Sequence, residues 1–144
     1  MTGHIRRATR HDLPALHALM GAPAERRSER FERRLLRTLA ACVYVAEDAG
    51  TVVGAVACSF APSLALSRWC TILDGAWATA DRPDVLDALV AFAEERGRRR
   101  ASARVIAVGP VHPALRRVLA ARGYERGDDW ALVLAAAHGP SDAS

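Results

Sequence analysis

The sequence contains no lysine; all 20 of its basic residues are arginine. Together with the many alanines, this reads as a GC-rich coding bias. The formal charge of +4 and the pI near 9.6 therefore carry little weight as signs of a partner. The Arg-rich surface is expected to be solvated, and nucleic acid is not an expected ligand. Cysteine is scarce. Cys42, Cys58 and Cys70 fit no zinc spacing and no CxxC redox motif. An odd count in apolar surroundings points to reduced thiols in a core. No apolar signal core follows Met1, and no later run is long enough to cross a bilayer, so the expected location is the cytoplasm and no membrane partner is expected. Repeats and linkers are absent too.

What is present suits one domain over residues 1–135, followed by a small, polar tail over 136–144. Apolar residues make up 51 %, enough for a core in a chain that buries roughly two thirds of its unfolded surface. His4 to Ala8 reads as a short strand. Thr9 or His11-Asp12 then opens a helix carrying Leu13, Leu16, Leu19 and Met20, broken at Gly21-Ala22-Pro23. A second helix is expected from about Glu25 to Ala40, with Phe31, Leu35 and Leu39 in one stripe, Leu36 beside it and arginines around the rest. Its Glu29–Arg33 pair is worth about 0.3 kcal/mol.

Cys42–Glu47 and Thr51–Phe60 form a hairpin across Asp48-Ala49-Gly50. Ala61-Pro62-Ser63 ends it. Trp69–Ala78 is a further strand, in which Gly75 marks a bulge or splay. Asp81 is placed to cap a helix that starts with Pro83, runs to about Arg96 and buries Val85, Leu89 and Phe92, with Gly97 at its C′ position. Arg104–Val108 reads as a buried strand. A last helix runs from Pro113 to Gly123, and a final strand starts at Tyr124 and resumes over Trp130–Leu134. Helices flanking a run of strands indicate an α/β domain: a mixed central sheet with helices on both faces.

Three segments carry a family resemblance. His4 to Leu16 (HIRRATRHDLPAL) looks like an "IRxAtxxDlpal" opening. Val43–Glu47 with Thr51–Val56 looks like a "vaeddGkvvGav" hairpin. Ala121-Arg122-Gly123-Tyr124-Glu125 looks like a closing "klGFe". In this order the chain resembles the GNAT superfamily of N-acyltransferases over about residues 4–134. The resemblance implies a sheet of about six to seven strands. It implies acyl-CoA-dependent transfer of an acetyl or similar group to an amine of a small molecule or protein, with acetyl-CoA or another acyl-CoA as donor. A homodimer is within the family's habits. The alternatives are a catalytically inactive GNAT-like binding module, or the fold repurposed for another reaction on a biosynthetic intermediate.

The resemblance also implies site residues. Asp74, in the splayed strand, would be the base for the amine; the competing reading is a bulge or turn hydrogen bond. Backbone at Ala76, Trp77 and Ala78 would pair with pantetheine. Backbone at Asp84, Val85 and Leu86 would meet the pyrophosphate, helped by Arg82, at a helix N-terminus. The usual R/Q-x-x-G-x-G/A loop has lost both glycines here. Pro83 has no N–H, and Asp81 and Asp84 put negative charge where phosphate belongs. The family's acidic Tyr falls at Leu119, and its frequent Asn at His112, which reads as a helix cap, a cofactor contact or an acid/base. His17 is a rim residue. Trp69 and Trp77, an even number of residues apart, are expected to share one face, walling a pocket or filling the core. No metal site is expected.

Overall fold

The computed structural model describes residues 3–21, 28–38, 41–109 and 111–126. At its centre is the hairpin of β2 (Ala41–Asp48) and β3 (Thr51–Ser63). Ala49 and Gly50 both take left-handed φ values, 51° and 78°, and Asp48 pairs with Thr51. A two-residue turn of that hand matches the strand twist, and glycine is what makes it cheap. Along these strands Tyr44, Ala46, Val56, Cys58 and Phe60 face one way, and Val45 and Ala55 the other. Both faces are therefore apolar and both are covered.

Three strands complete the sheet. β1 (His4–Arg7) pairs antiparallel with β2, and β4 (Arg68–Ala78) antiparallel with β3. β5 (Val105–Ala107) lies parallel to β4, giving the order β1-β2-β3-β4-β5. On one face lie α3 (Pro83–Arg99) and α4 (Pro113–Ala121), which bury Val85, Leu86, Leu89, Val90, Ala93, Leu115 and Leu119. The other face packs against α1 (Leu13–Met20) through Leu13 and Leu16, and α2 (Glu29–Leu35) follows α1. The expected α/β sandwich is present. No helix among the described residues is long and apolar enough to cross a membrane.

The start of α1 shows how local chemistry fixes the frame. Asp12 is buried; its carboxylate accepts from the Thr9 N–H at 2.7 Å and from two nitrogens of Arg6 at 2.9 Å each. Arg6 also donates to Glu47 on the neighbouring strand. The Arg6 guanidinium holds the Asp12 pKa down at about 2. Strand β1, the helix start and the hairpin are thus tied by one charge-assisted cluster.

Several expectations are corrected. The sheet has five strands among the described residues, not six to seven. Tyr124 begins no strand: its N–H closes α4 on the Leu119 carbonyl, after Gly123 at φ 86°. The expected strand at Trp130–Leu134 and the tail over 136–144 lie outside the described residues. Arg82 rather than Asp81 occupies the N-cap of α3. Gly97 is not its C′ residue, because the helix continues to Arg99. A Cβ at Gly97 would sit 2.7 Å from the Thr71 Oγ1, so the glycine serves close helix–sheet contact. Helix α2 starts at the Ser28 cap, and Phe31 is exposed rather than buried. Its Glu29–Arg33 pair does form, at 2.6 Å.

Candidate active site

One extra residue in β4 creates the site. Ala57 of β3 pairs with Gly75 and Cys58 with Leu73, which leaves Asp74 opposite nothing. This bulge shifts the alternation of β4 by one. Leu73 before it and Ala76 after it both enter the α3 side of the core. Trp77 therefore packs on the α1 side, while the parity of Trp69, Thr71 and Leu73 puts Trp69 on the α3 face. The two tryptophans do not share a face, contrary to the even spacing. Trp77 folds back over Gly75, where a Cβ would lie 2.4 Å from its ring, and Trp69 is half exposed.

The bulge also coincides with the end of the β4–β5 ladder. Pairing runs from Thr71↔Val105 to Leu73↔Ala107, with a last bond from the Val108 N–H to the Leu73 carbonyl at 3.0 Å. The chain then turns away at Gly109, φ 76°. Beyond Leu73 no described strand pairs with that edge of β4. The Thr79 N–H donates to Val53 O on β3, so alternation aims the backbone groups of Ala76 and Ala78 into the gap.

His112 spans the gap. Its Nδ1 accepts from the Leu115 N–H at 3.3 Å, which caps α4. Its Nε2 lies 2.7 Å from the Ala76 carbonyl, which can only accept. The two bonds together require the neutral ring with the proton on Nε2. Of the readings open in the sequence, the cap is the one His112 performs. It also touches the strand edge assigned to pantetheine.

Asp74 is exposed at the mouth of this gap, and none of the described residues hydrogen-bonds or pairs with its carboxylate. Protein around the group still desolvates it enough to raise its pKa above the ordinary carboxylate value. The structure thus brings Ala76, Ala78 and His112 together at one opening, with Asp74 on the bulge two residues before Ala76.

The loop from β4 to α3 is built differently. The Arg82 Nη1 donates to Asp48 at 2.8 Å, and its Nε and Nη2 donate to Asp84 at 3.2 and 3.3 Å. The Asp84 pKa falls, first through Arg82 and further through the N–H groups of Val85 and of Asp84 itself. The Arg82 N–H donates to Thr79 O, and the Val85 N–H to Arg82 O. Val85 and Leu86 bury their side chains in the core. Asp48, the second partner of Arg82, was not foreseen; only the folded hairpin brings it there.

Other candidates recede. Leu119 is buried core and supplies no hydroxyl. The Tyr124 hydroxyl is buried without a hydrogen-bond partner, and burial pushes its pKa to about 12. Cys42 and Cys58 face each other across β2 and β3, and burial lifts the Cys58 thiol to about 11, far from a thiolate nucleophile. His17 bonds to Glu32, joining α1 to α2. A cavity of about 1050 Å³ runs along β5 and α4. Neither Asp74, Arg82 nor His112 lines it. No group of three or more potential metal ligands occurs among the described residues.

The two halves of the thioester site that the resemblance implies therefore fit unequally. A strand edge open at the Ala76 N–H and at Ala78, with the Ala76 carbonyl held by His112, suits the amide-bearing arm of pantetheine. The closed loop, with Pro83 and paired carboxylates, does not fit a diphosphate.

Neither a family model nor a curated relative matches the sequence. Solved structures do match. A transcriptional regulator from Bacillus halodurans C-125 superposes with a TM-score of 0.75 at 20% identity, covering 88% of this chain and 95% of that one. A ribosomal-protein-alanine N-acetyltransferase from Brucella melitensis biovar Abortus 2308 gives 0.69 at 18%, covering 89% and 94%. An aminoglycoside 6'-N-acetyltransferase from Acinetobacter baumannii gives 0.70 at 12%, covering 88% and 92%. Likeness at such identities establishes the fold and leaves the reaction to the residues.

Proposed function

We propose, from the premise that this chain has the fold of the GNAT-type acetyltransferases, that it is an N-acyltransferase acting in the gap between β4 and β5. The single observation that carries this reading is Asp74. It sits on the bulge where the ladder opens, unpaired and with a raised pKa. Such a carboxylate is a better base than an ordinary one.

The donor is a thioester on a pantetheine arm, and the acceptor is an amine of a small molecule or protein. The amine nitrogen forms a bond to the acyl carbon, the carbon–sulfur bond breaks, and sulfur leaves with the electron pair as thiolate. The amine proton passes to Asp74, directly or through one water. Leu119 offers no acid for the thiolate, but a thiol pKa near 8.5 lets water return that proton. Ala76 and Ala78 hold the arm as a strand edge would, and His112 fixes the width of the gap by bonding α4 to β4.

A thermal shift with thioesters and a thiol-release assay over an amine panel test this. Ligand at about 100 times its Kd adds roughly 2.7 kcal/mol of stability. Shift and turnover together support the enzyme. A shift without turnover favours the second reading, a GNAT-like binding module, which buried Leu119 and the closed Arg82 loop independently suggest. Absence of both at millimolar thioester sinks the transferase.

A further inference from the structure

The loop that would meet a donor's diphosphate is filled by its own side chains, and the way it is filled is specific. Two carboxylates, Asp48 and Asp84, flank a single guanidinium, Arg82. All three nitrogens of that guanidinium already donate to Asp48 or Asp84. The Asp84 carboxylate lies on the first turn of α3, where the helix dipole favours an anion, and so takes the place a phosphate would take. Pro83 contributes no N–H, and the N–H groups of Thr79, Arg82 and Val85 are spent on Val53, Thr79 and Arg82 carbonyls.

Nor can the helix retreat. A Cβ at Gly54 on β3 would lie 2.6 Å from Val85 and 2.8 Å from Leu89, so the first turns of α3 are seated directly on the sheet. Opening the loop for two phosphates means breaking the Arg82 pairs and leaving Asp84 facing like charge. By contrast, the Ala76 N–H and the Ala78 backbone groups on the strand edge have no described partner to release, the Ala76 carbonyl alone being held by His112.

We propose that Arg82 and Asp84 form a latch that excludes diphosphate, so that the donor is selected by its acyl-pantetheine arm and a nucleotide adds nothing to its use. This rests on the acyltransferase reading above. The donor class is an acyl-pantetheine thioester, either free or borne on a carrier protein. In an enzyme that grips the nucleotide, removing it costs binding energy that is used in the transition state. Here that loss is absent.

The test compares kcat/KM for acetyl-pantetheine and acetyl-CoA with one amine acceptor, in the wild type and in Asp84→Ala. The wild type is expected to use the two thioesters within roughly tenfold of each other. Asp84→Ala should raise kcat/KM for acetyl-CoA by roughly tenfold and leave acetyl-pantetheine unchanged. A wild-type preference for acetyl-CoA beyond that range, or a variant whose ratio does not move, overturns the latch. A third arm, acetyl-phosphopantetheine on a carrier protein, identifies the source. Faster use than the free thioester points to a carrier, and equal use to a small thioester; both uphold the latch. If no thioester is turned over, the acyltransferase reading fails by itself. Calorimetry with CoA and pantetheine then judges the latch: wild-type Kd values within roughly tenfold of each other, with CoA alone tightened in Asp84→Ala, uphold it, and tight wild-type binding of CoA without pantetheine, a ratio that Asp84→Ala does not move, or no binding of either ligand to either protein overturns it.

Discussion

From Asp74 to Ala78, β4 presents a carboxylate without a described cation and backbone groups that no described strand pairs. From Thr79 to Val85, a few residues on, the N–H groups of Thr79, Arg82 and Val85 and the charges of Arg82 and Asp84 have partners inside the chain. The two regions share one scaffold, and both belong to the stretch that the family resemblance assigns to a thioester. They differ in where their polar groups point. Groups left open at a gap are available to a ligand. Groups that have found internal partners must be released first, which costs roughly 1–3 kcal/mol for each desolvated donor or acceptor. Unpaired polarity on a rigid frame is therefore a better guide to a working site than the presence of the usual residue types.

The largest expected effect falls on the open side. Asp74→Asn should lower kcat/KM by about 100-fold or more, with the thioester thermal shift retained. In the wild type, kcat/KM should rise with pH through a pKa above the ordinary Asp value, because the free base is the active form; this limb should vanish in the variant. Desolvation by the surrounding protein already disfavours the Asp74 anion, so the neutral replacement should not lower Tm. A large loss of stability instead would make Asp74 a structural residue and erase the contrast.

Next comes the support beneath the closed side. Gly54→Ala should cost about 1–3 kcal/mol in denaturant unfolding, because Val85 and Leu89 must move. A neutral result would mean that α3 is free to shift and the loop free to open.

The Arg6–Asp12 pair tests whether burial separates strong ion pairs from weak ones. The Asp12 side chain is 8% exposed and that of Asp84 52%. Asp12 titrates at about 2 in the fold against 3.8 unperturbed. Its contribution, about 2 kcal/mol, is present above pH 4 and is lost as pH falls from about 4 to about 2. Asp12→Asn should flatten that acid limb of stability. Arg82→Ala gives the smallest effect on unfolding, one that fades with salt, as screened surface pairs do. A larger loss would show the latch to be part of the fold's support rather than a gate on its ligand.

Most of the fold was legible because its signals are local. The Asp48-Ala49-Gly50 turn, the Val85/Leu89 stripe and the Gly123 stop each depend on residues a few positions apart. What failed depended on distance. Trp69 and Trp77 were put on one face because spacing counts residues, and a bulge between them changes the count; Gly75 hinted at it without fixing its place. Gly97 has the sequence of a helix stop but answers to Thr71 across the sheet. Phe31 follows an apolar period, yet no sheet lies beneath it. At the site, the loss of glycines around Arg82 was plain from the residues. That Arg82 would turn to Asp48 was not, since the two are 34 positions apart and only the hairpin brings them together.

Direct titration of the wild-type protein with pantetheine and with CoA, side by side in a calorimeter at moderate salt, tests the contrast most directly. An open strand edge beside a closed diphosphate loop predicts that both bind, with Kd values within roughly tenfold of each other. Tight binding of CoA with no measurable binding of pantetheine would contradict it, because the affinity would then reside in the loop described here as shut.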